Sequence, residues 1–245
     1  LHVHGPVDQA RLEQAIAHLA RLHDGLRAAL VSDQGIARQC FAGATPVRFA
    51  VDDVQASQDP LQAARALLQG WMQTPFELGT APLWGVMLVR IDEHQHLLAL
   101  KAHHLVLDGW GVDQWFKQLA HLYRQLELGQ SLPGSAPSYT TFIEDDARYQ
   151  ASARHAKDRA YWLARYASLP DPLLQPRQQP EHAPSPSGAL ELAFAPSLLA
   201  RMRGLAPPPH APPFHVLLAP PPVCVRRPSH PDDMELGVPV RHRCT

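Results

Sequence analysis

The placement of proline constrains this chain more than any other feature. Of its 25 prolines, 18 follow Leu169. A proline fixes φ and lacks the amide donor, costs about 3 kcal/mol inside a helix, and is confined to the edges of sheets. Long helices and central strands are therefore expected before residue 168. Six prolines fall between residues 170 and 187, and that segment is expected to be a linker. Beyond it, Gly188 to Phe194 reads as a strand. A helix around Met202 is then cut short by Pro207-Pro208-Pro209.

Before the linker, hydrophobic spacing alternates between strand and helix periods. Leu1 to Val3 reads as a strand turned by Gly5-Pro6. Asp8 is placed to cap a helix from Gln9 to Leu30, with Leu12, Ile16, Leu19 and Leu22 on one face. Ile36 to Phe41 and Val47 to Val51 read as a hairpin, and Asp59-Pro60 opens a second helix ending near Trp71. Pro82 to Arg90 and His96 to Ala102 are apolar runs split by the polar turn Asp92 to Gln95, so they are expected to pair. Gly109 and Gly111 break the second pattern. A helix from Val112 to Leu128 follows, with Gly129 at its stop, and Tyr139 to Tyr149 and Ala153 to Tyr166 read as further helices. The mixture is α/β or α+β, with no internal repeat.

The chemistry concentrates at the end of the second apolar run, in His103-His104-Leu105-Val106-Leu107-Asp108-Gly109-Trp110-Gly111. Imidazole, carboxylate and turn glycine are the parts of a general-base site. Successive strand residues point to opposite faces, so only one histidine can face a given cleft, and alternation does not say which. The bland alternative has both rings satisfied by backbone and Asp108 capping the next helix. A zinc or iron site is a third option, but adjacent strand histidines diverge and no third cluster sits at ligand spacing, so no metal is expected. His94 and His96 read as residues of the polar turn. No glycine-rich phosphate loop and no G-x-S-x-G elbow is present.

Composition narrows the setting. A net charge of -1 leaves no electrostatic footprint for nucleic acid or an anionic membrane. No run approaches the roughly 20 apolar residues of a membrane span. The N-terminus has no signal-peptide pattern, and Cys40, Cys224 and Cys244 suit a reducing compartment, so a cytoplasmic protein is expected.

The string HHLVLDGWG resembles the HHxxxDG core motif of nonribosomal peptide synthetase condensation domains. His23-Asp24-Gly25-Leu26-Arg27 resembles the family's "RHxxLR" element, and Pro75-Phe76-Glu77-Leu78 with Ala81-Pro82-Leu83 its "PFDL…GPL" element. Tyr139 to Trp162 is similar to the charged stretch ending in "RDRAYW". Phe214 to Leu218 resembles the "PFHVLLAA" helix start, and Asp232 to Val240 the "DDxxLGVPV…NR" element. The elements keep the family's order over nearly the whole chain.

The resemblance implies a chloramphenicol-acetyltransferase-like fold of two lobes, with the motif in the tunnel between them. Residues 1–168 would form the N-terminal lobe, 169–187 the linker, and 188–245 the truncated start of the C-terminal lobe. It implies amide formation, in which the amine of a carrier-bound aminoacyl group attacks a carrier-bound acyl or peptidyl thioester. His104 would face the tunnel and meet that amine, as general base or by positioning it. His103 would support the motif's geometry, Gly109 would let the backbone approach the thioester, and Asp108 would pair with Arg243. No cofactor would be held by the domain. Substrates would ride on phosphopantetheine arms of upstream and downstream peptidyl carrier domains, beside an adenylation domain.

Against the family pattern the element before the first strand is missing, the second lobe stops soon after it starts, and Pro220-Pro221-Pro222 should end the "FHVLLAA" helix near Ala219. The chain is expected to be a fragment, inactive by itself. Two alternatives stay open: a stand-alone acyltransferase using a coenzyme A thioester, and an inactive interaction module that keeps the motif as structure.

Overall fold

The computed structural model describes residues 1–41, 43, 47–168, 193 and 195–205. The chain divides into two compact units, Leu1–His155 and Ala156–Thr245. In the first, β1 (His2–His4), β4 (Phe49–Asp53), β5 (Trp84–Arg90) and β6 (Gln95–Ala102) form one sheet in the order β1-β6-β5-β4. β6 is antiparallel to both β1 and β5, and β4 is parallel to β5.

Both faces of this sheet are covered, which is why β5 is a continuous apolar run rather than an alternating one. Trp84, Val86 and Leu88 face α1 (Gln9–Leu22) and α3 (Gly109–Glu127), packing with Ile16, Leu19, Trp115, Leu119 and Leu122. Met87 and Val89 point the other way, onto Ala64 of α2 (Pro60–Gln73). The caps read from sequence are in place: Asp8 accepts from Arg11 N–H, and Asp59 from Gln62 N–H just ahead of Pro60. Gly129 takes φ +65° behind α3.

Three boundaries differ from the sequence expectation. The first helix ends at Leu22, not Leu30. His23 is extended, Asp24–Arg27 forms one 3-10 turn, and Ala28 begins β2 (Ala28–Asp33). The Arg27 guanidinium donates to the carbonyls of Ala20 and Arg21, satisfying the helix end, while Trp84 Nε1 donates to Leu26 O at 2.7 Å. The hairpin is also different: β3 (Ile36–Phe41) pairs with β2 through Gln34-Gly35, both at positive φ as a tight two-residue turn requires. β4 instead joins the main sheet beside β5. Finally, α3 starts at Gly109, so Gly109 and Gly111 open the helix rather than precede it.

α4 (Tyr139–Gln150) completes the first unit, with Ser138 as its cap. α5 (Ala153–Arg165) spans the division between units. In the second unit the Met202 helix is α6 (Pro196–Leu205). The linker, the Gly188–Phe194 strand apart from Ala193, the stop near Ala219 and Arg243 lie outside the described residues. Among the described residues, no helix is long and apolar enough to cross a membrane.

Candidate functional site

β6 ends at Ala102, opposite Trp84, and the ladder continues one bond further: His103 N–H donates to Leu83 O at 2.8 Å. The chain then folds back over His103. Its carbonyl accepts from Val106 N–H at 3.0 Å and Leu107 N–H at 3.4 Å, and its ring Nδ1 accepts from Leu105 N–H at 3.2 Å. With Nδ1 accepting, the neutral ring carries its proton on Nε2. His103 is half-buried.

His104 sits one residue further along the same turn. Its side chain is exposed and makes no hydrogen bond with another described residue. The pair therefore does not divide by strand alternation, because the strand stops before it. One ring is built into the turn and the other is left open.

Asp108 ends the turn and caps α3. Its Oδ1 accepts from Gly111 N–H at 2.6 Å and its carbonyl from Val112 N–H at 2.9 Å. The two glycines beside it differ. A Cβ at Gly109 would meet nothing within 4 Å, and its φ is not positive, so the backbone there is open to approach. A Cβ at Gly111 would lie 2.9 Å from Leu107 Cδ2 and 3.2 Å from Asp108 Oδ1. The close-packed glycine is thus Gly111, which sequence reasoning passed over in favour of Gly109.

On the side of the turn carrying Val106 and Leu107 lies a cavity of about 560 Å³, walled by α1, α3 and α4. Its polar rim includes His23, whose Nε2 lies 2.6 Å from Gln118 Oε1, and Asp24. Asp24 accepts from Ser138 Oγ at 2.5 Å, Tyr139 N–H at 3.1 Å and Arg27 Nη2 at 2.6 Å, so one carboxylate ties the end of α1 to the start of α4. The Ser138 hydroxyl foremost, with Tyr139 N–H and Arg27, holds it below the ordinary 3.8 despite burial. Neither His103 nor His104 lines this cavity. The sequence signal for the tie is Ser138, one residue ahead of the helix expected from Tyr139.

Two other residues sit differently from their sequence reading. His96 is not in the polar turn but buried in β6, with Nδ1 unpartnered among the described residues, and burial pushes its pKa below 6.5. Lys101 interrupts an apolar strand and is buried, a visible anomaly that went unused. Among the described residues no group of three or more His, Cys, Asp or Glu side chains converges, and Cys40 is exposed.

Comparison with known proteins gives a consistent picture. The family model "Condensation domain" matches residues 1–245. The isonitrile lipopeptide synthase of Streptomyces coeruleorubidus is 34% identical over 172 residues, covering 69% of this chain and 12% of that protein. The crystal structure of the starter condensation domain of rhizomide synthetase RzmA superposes with a TM-score of 0.65 at 29% identity, covering 70% of this chain and 42% of that one. A variant of the same domain, in complex with C8-CoA and Leu-SNAC, gives a TM-score of 0.66 at 27% identity over 73% of this chain and 41% of that one. The chain thus spans well under half the length of these relatives.

Proposed function

The chain belongs to the condensation-domain family, and from that membership we propose that it works within a nonribosomal peptide synthetase to form an amide bond. The nitrogen of a carrier-bound aminoacyl group attacks the carbonyl carbon of an acyl or peptidyl thioester. The C–N bond forms, the C–S bond breaks, the sulfur leaves as thiolate, and the proton lost by the amine ends on that thiolate. His104 meets the amine and holds or relays the proton. Aminolysis of a thioester is intrinsically downhill, so holding both arms in an attack geometry supplies much of the acceleration.

The observation that carries this reading is the division between the two imidazoles: His103 Nδ1 is engaged by Leu105 N–H, while the His104 ring is exposed and makes no hydrogen bond with another described residue. The open backbone at Gly109 supports approach of the thioester, and Asp108, as the cap of α3, fixes where the turn ends. That RzmA was captured with C8-CoA and Leu-SNAC supports a thioester donor and an amine-bearing acceptor. The carriers and their phosphopantetheine arms, an adjacent adenylation domain, the 1–168 lobe boundary, the Asp108–Arg243 pair and a cytoplasmic setting belong to the same proposal.

The test supplies the synthetase carrying this chain with two loaded carriers and measures amide product by mass spectrometry. His104→Ala is expected to lower the rate by about 10²-fold or more, the range for a positioned acid-base group. Equal product from the variant overturns the role given to His104. Product formed from a free coenzyme A thioester as efficiently as from the carrier would favour a stand-alone acyltransferase.

A further inference from the structure

We propose that Lys101 is a positioning residue for the histidine turn, acting through the segment between α2 and β5. The inference rests on the reading above only where activity is concerned.

Lys101 stands two residues before His103, on the face of β6 that looks toward α2, and only 8% of it is exposed. Its ammonium donates to Trp71 O at 2.9 Å and to Thr74 O, both at the C-terminal end of α2. It also lies 4.8 Å from the centre of the Phe76 ring and 5.5 Å from that of Trp71. Carbonyls at a helix C-terminus and the faces of aromatic rings both favour a cation. No carboxylate among the described residues pairs with it, and burial, with the charge of Arg48, lowers its pKa from 10.5.

Across the ladder stands Gly85, whose added Cβ would come within 3.4 Å of Trp71 Cζ2. A bare backbone there leaves room for Arg48, whose carbonyl oxygen would lie 3.3 Å from the added carbon, as well as for the Trp71 ring. A methionine of similar length would fill the space without burying a charge, so packing alone does not call for lysine.

What lysine adds is a tie. The segment leaving α2 begins at Thr74, held by Lys101, and reaches Leu83, whose carbonyl holds His103 N–H at 2.8 Å. Lys101 in β6 and His103 just beyond its end thus hold both ends of one segment, and the loop closes immediately before the turn bearing His104. Releasing the Thr74 end frees the strand end that fixes where His103, and so His104, stands.

The experiment is NMR on the whole 245-residue chain, comparing it with Lys101→Met, which keeps the unbranched length but drops both hydrogen bonds. Lys101→Gln replaces the Met variant should that fail to fold. The readouts are the His103 ring tautomer and the exchange rate of the Leu105 amide. With two charged hydrogen bonds lost, the Leu105 amide is expected to exchange about tenfold faster or more, while Leu119 and Leu122 in the core of α3 keep their protection. Lys101→Arg, which retains donors, is expected to restore part of the protection.

An unchanged Leu105 amide and His103 tautomer overturn the proposal. So does an equal loss of protection at Leu119 and Leu122, which would make Lys101 a residue of general stability. In the amide-forming assay the variant is expected to lower kcat with little change in KM. If the unmodified protein makes no amide, the function fails but the NMR result stands.

Discussion

Gly109 and Gly111 sit two residues apart at the start of α3, and the same substitution is expected to stabilise the protein at the first and not at the second. In a helix, alanine is favoured over glycine by about 0.5–1 kcal/mol. Gly109 has no positive φ, and an added Cβ meets nothing within 4 Å. As the first helical residue it realises the lower part of that gain, about 0.5 kcal/mol, or a rise of about 1–2 °C in melting midpoint for a protein this long. At Gly111 the added carbon falls 2.9 Å from Leu107 Cδ2 and 3.2 Å from the capping Asp108 Oδ1. Leu107 can rotate, but the cap cannot move without lengthening its 2.6 Å bond to Gly111 N–H. Weakening a cap costs about 1 kcal/mol, which cancels or exceeds the propensity gain.

Thermal unfolding followed by circular dichroism reads both outcomes. A fall of the midpoint in Gly109→Ala would refute the argument that this backbone is unstrained and open. A rise in Gly111→Ala matching that of Gly109→Ala would refute the close packing of Leu107. Activity separates the two further. If the thioester approaches over Gly109, the stabilised Gly109→Ala protein is expected to lose product formation by about tenfold or more, because the methyl stands where the substrate must come. A protein both more stable and fully active removes Gly109 from the site.

Other outcomes follow from the same geometry. Asp108→Ala is expected to destabilise by about 1 kcal/mol while Asp108→Asn, an equally good cap, stays within a few tenths; if both fall alike in chemical denaturation, charge rather than capping is what Asp108 contributes. Burial holds His96 below 6.5, so the unfolded chain takes up a proton that the folded chain resists; stability is complete above pH 6.5 and is lost as pH falls through 6.5 toward the folded value. His96→Phe is expected to flatten the melting midpoint between pH 7.5 and 5.5, where Asp53 and Asp92, both held below 3.8, do not titrate; parallel profiles would contradict this. Asp24→Asn keeps one acceptor but loses the ion pair to Arg27. Faster hydrogen exchange in the first turn of α4 than in α3 is expected, and uniform exchange would show that the Ser138 tie is not local.

What could be read from sequence was local chemistry. The Asp8 and Asp59 caps, the Gly129 stop and the β5–β6 pairing each depend on residues within a few positions of one another. The failures came where a distant group decided. The helical spacing of α1 runs on through Leu26 and Leu30, but Trp84, 58 residues away, holds Leu26 O, and residues 28–33 pair with β3 instead of continuing the helix past Leu22. Nearness in sequence favours pairing β4 with β3, while its actual partner β5 lies beyond α2. Lys101 is intermediate. A lysine inside Leu97–Ala102 was visibly out of place, but its reason, the end of α2, was not in the local string.

The adjacent histidines show why the site was harder to read than its motif. Alternation along a strand would have assigned the two rings to opposite faces, but that rule stops with the ladder, and the strand ends at Ala102. What separates the rings instead is how the turn satisfies its backbone. Leu105, Val106 and Leu107 all direct N–H groups at His103, to its ring Nδ1 or its carbonyl. Turning that ring away would break the Leu105 bond, so its orientation is tied to the turn. The neighbouring imidazole carries no such obligation. If the proposed amide formation needs an imidazole that can meet the amine without giving up a bond that holds the backbone, the turn leaves that task to the exposed His104.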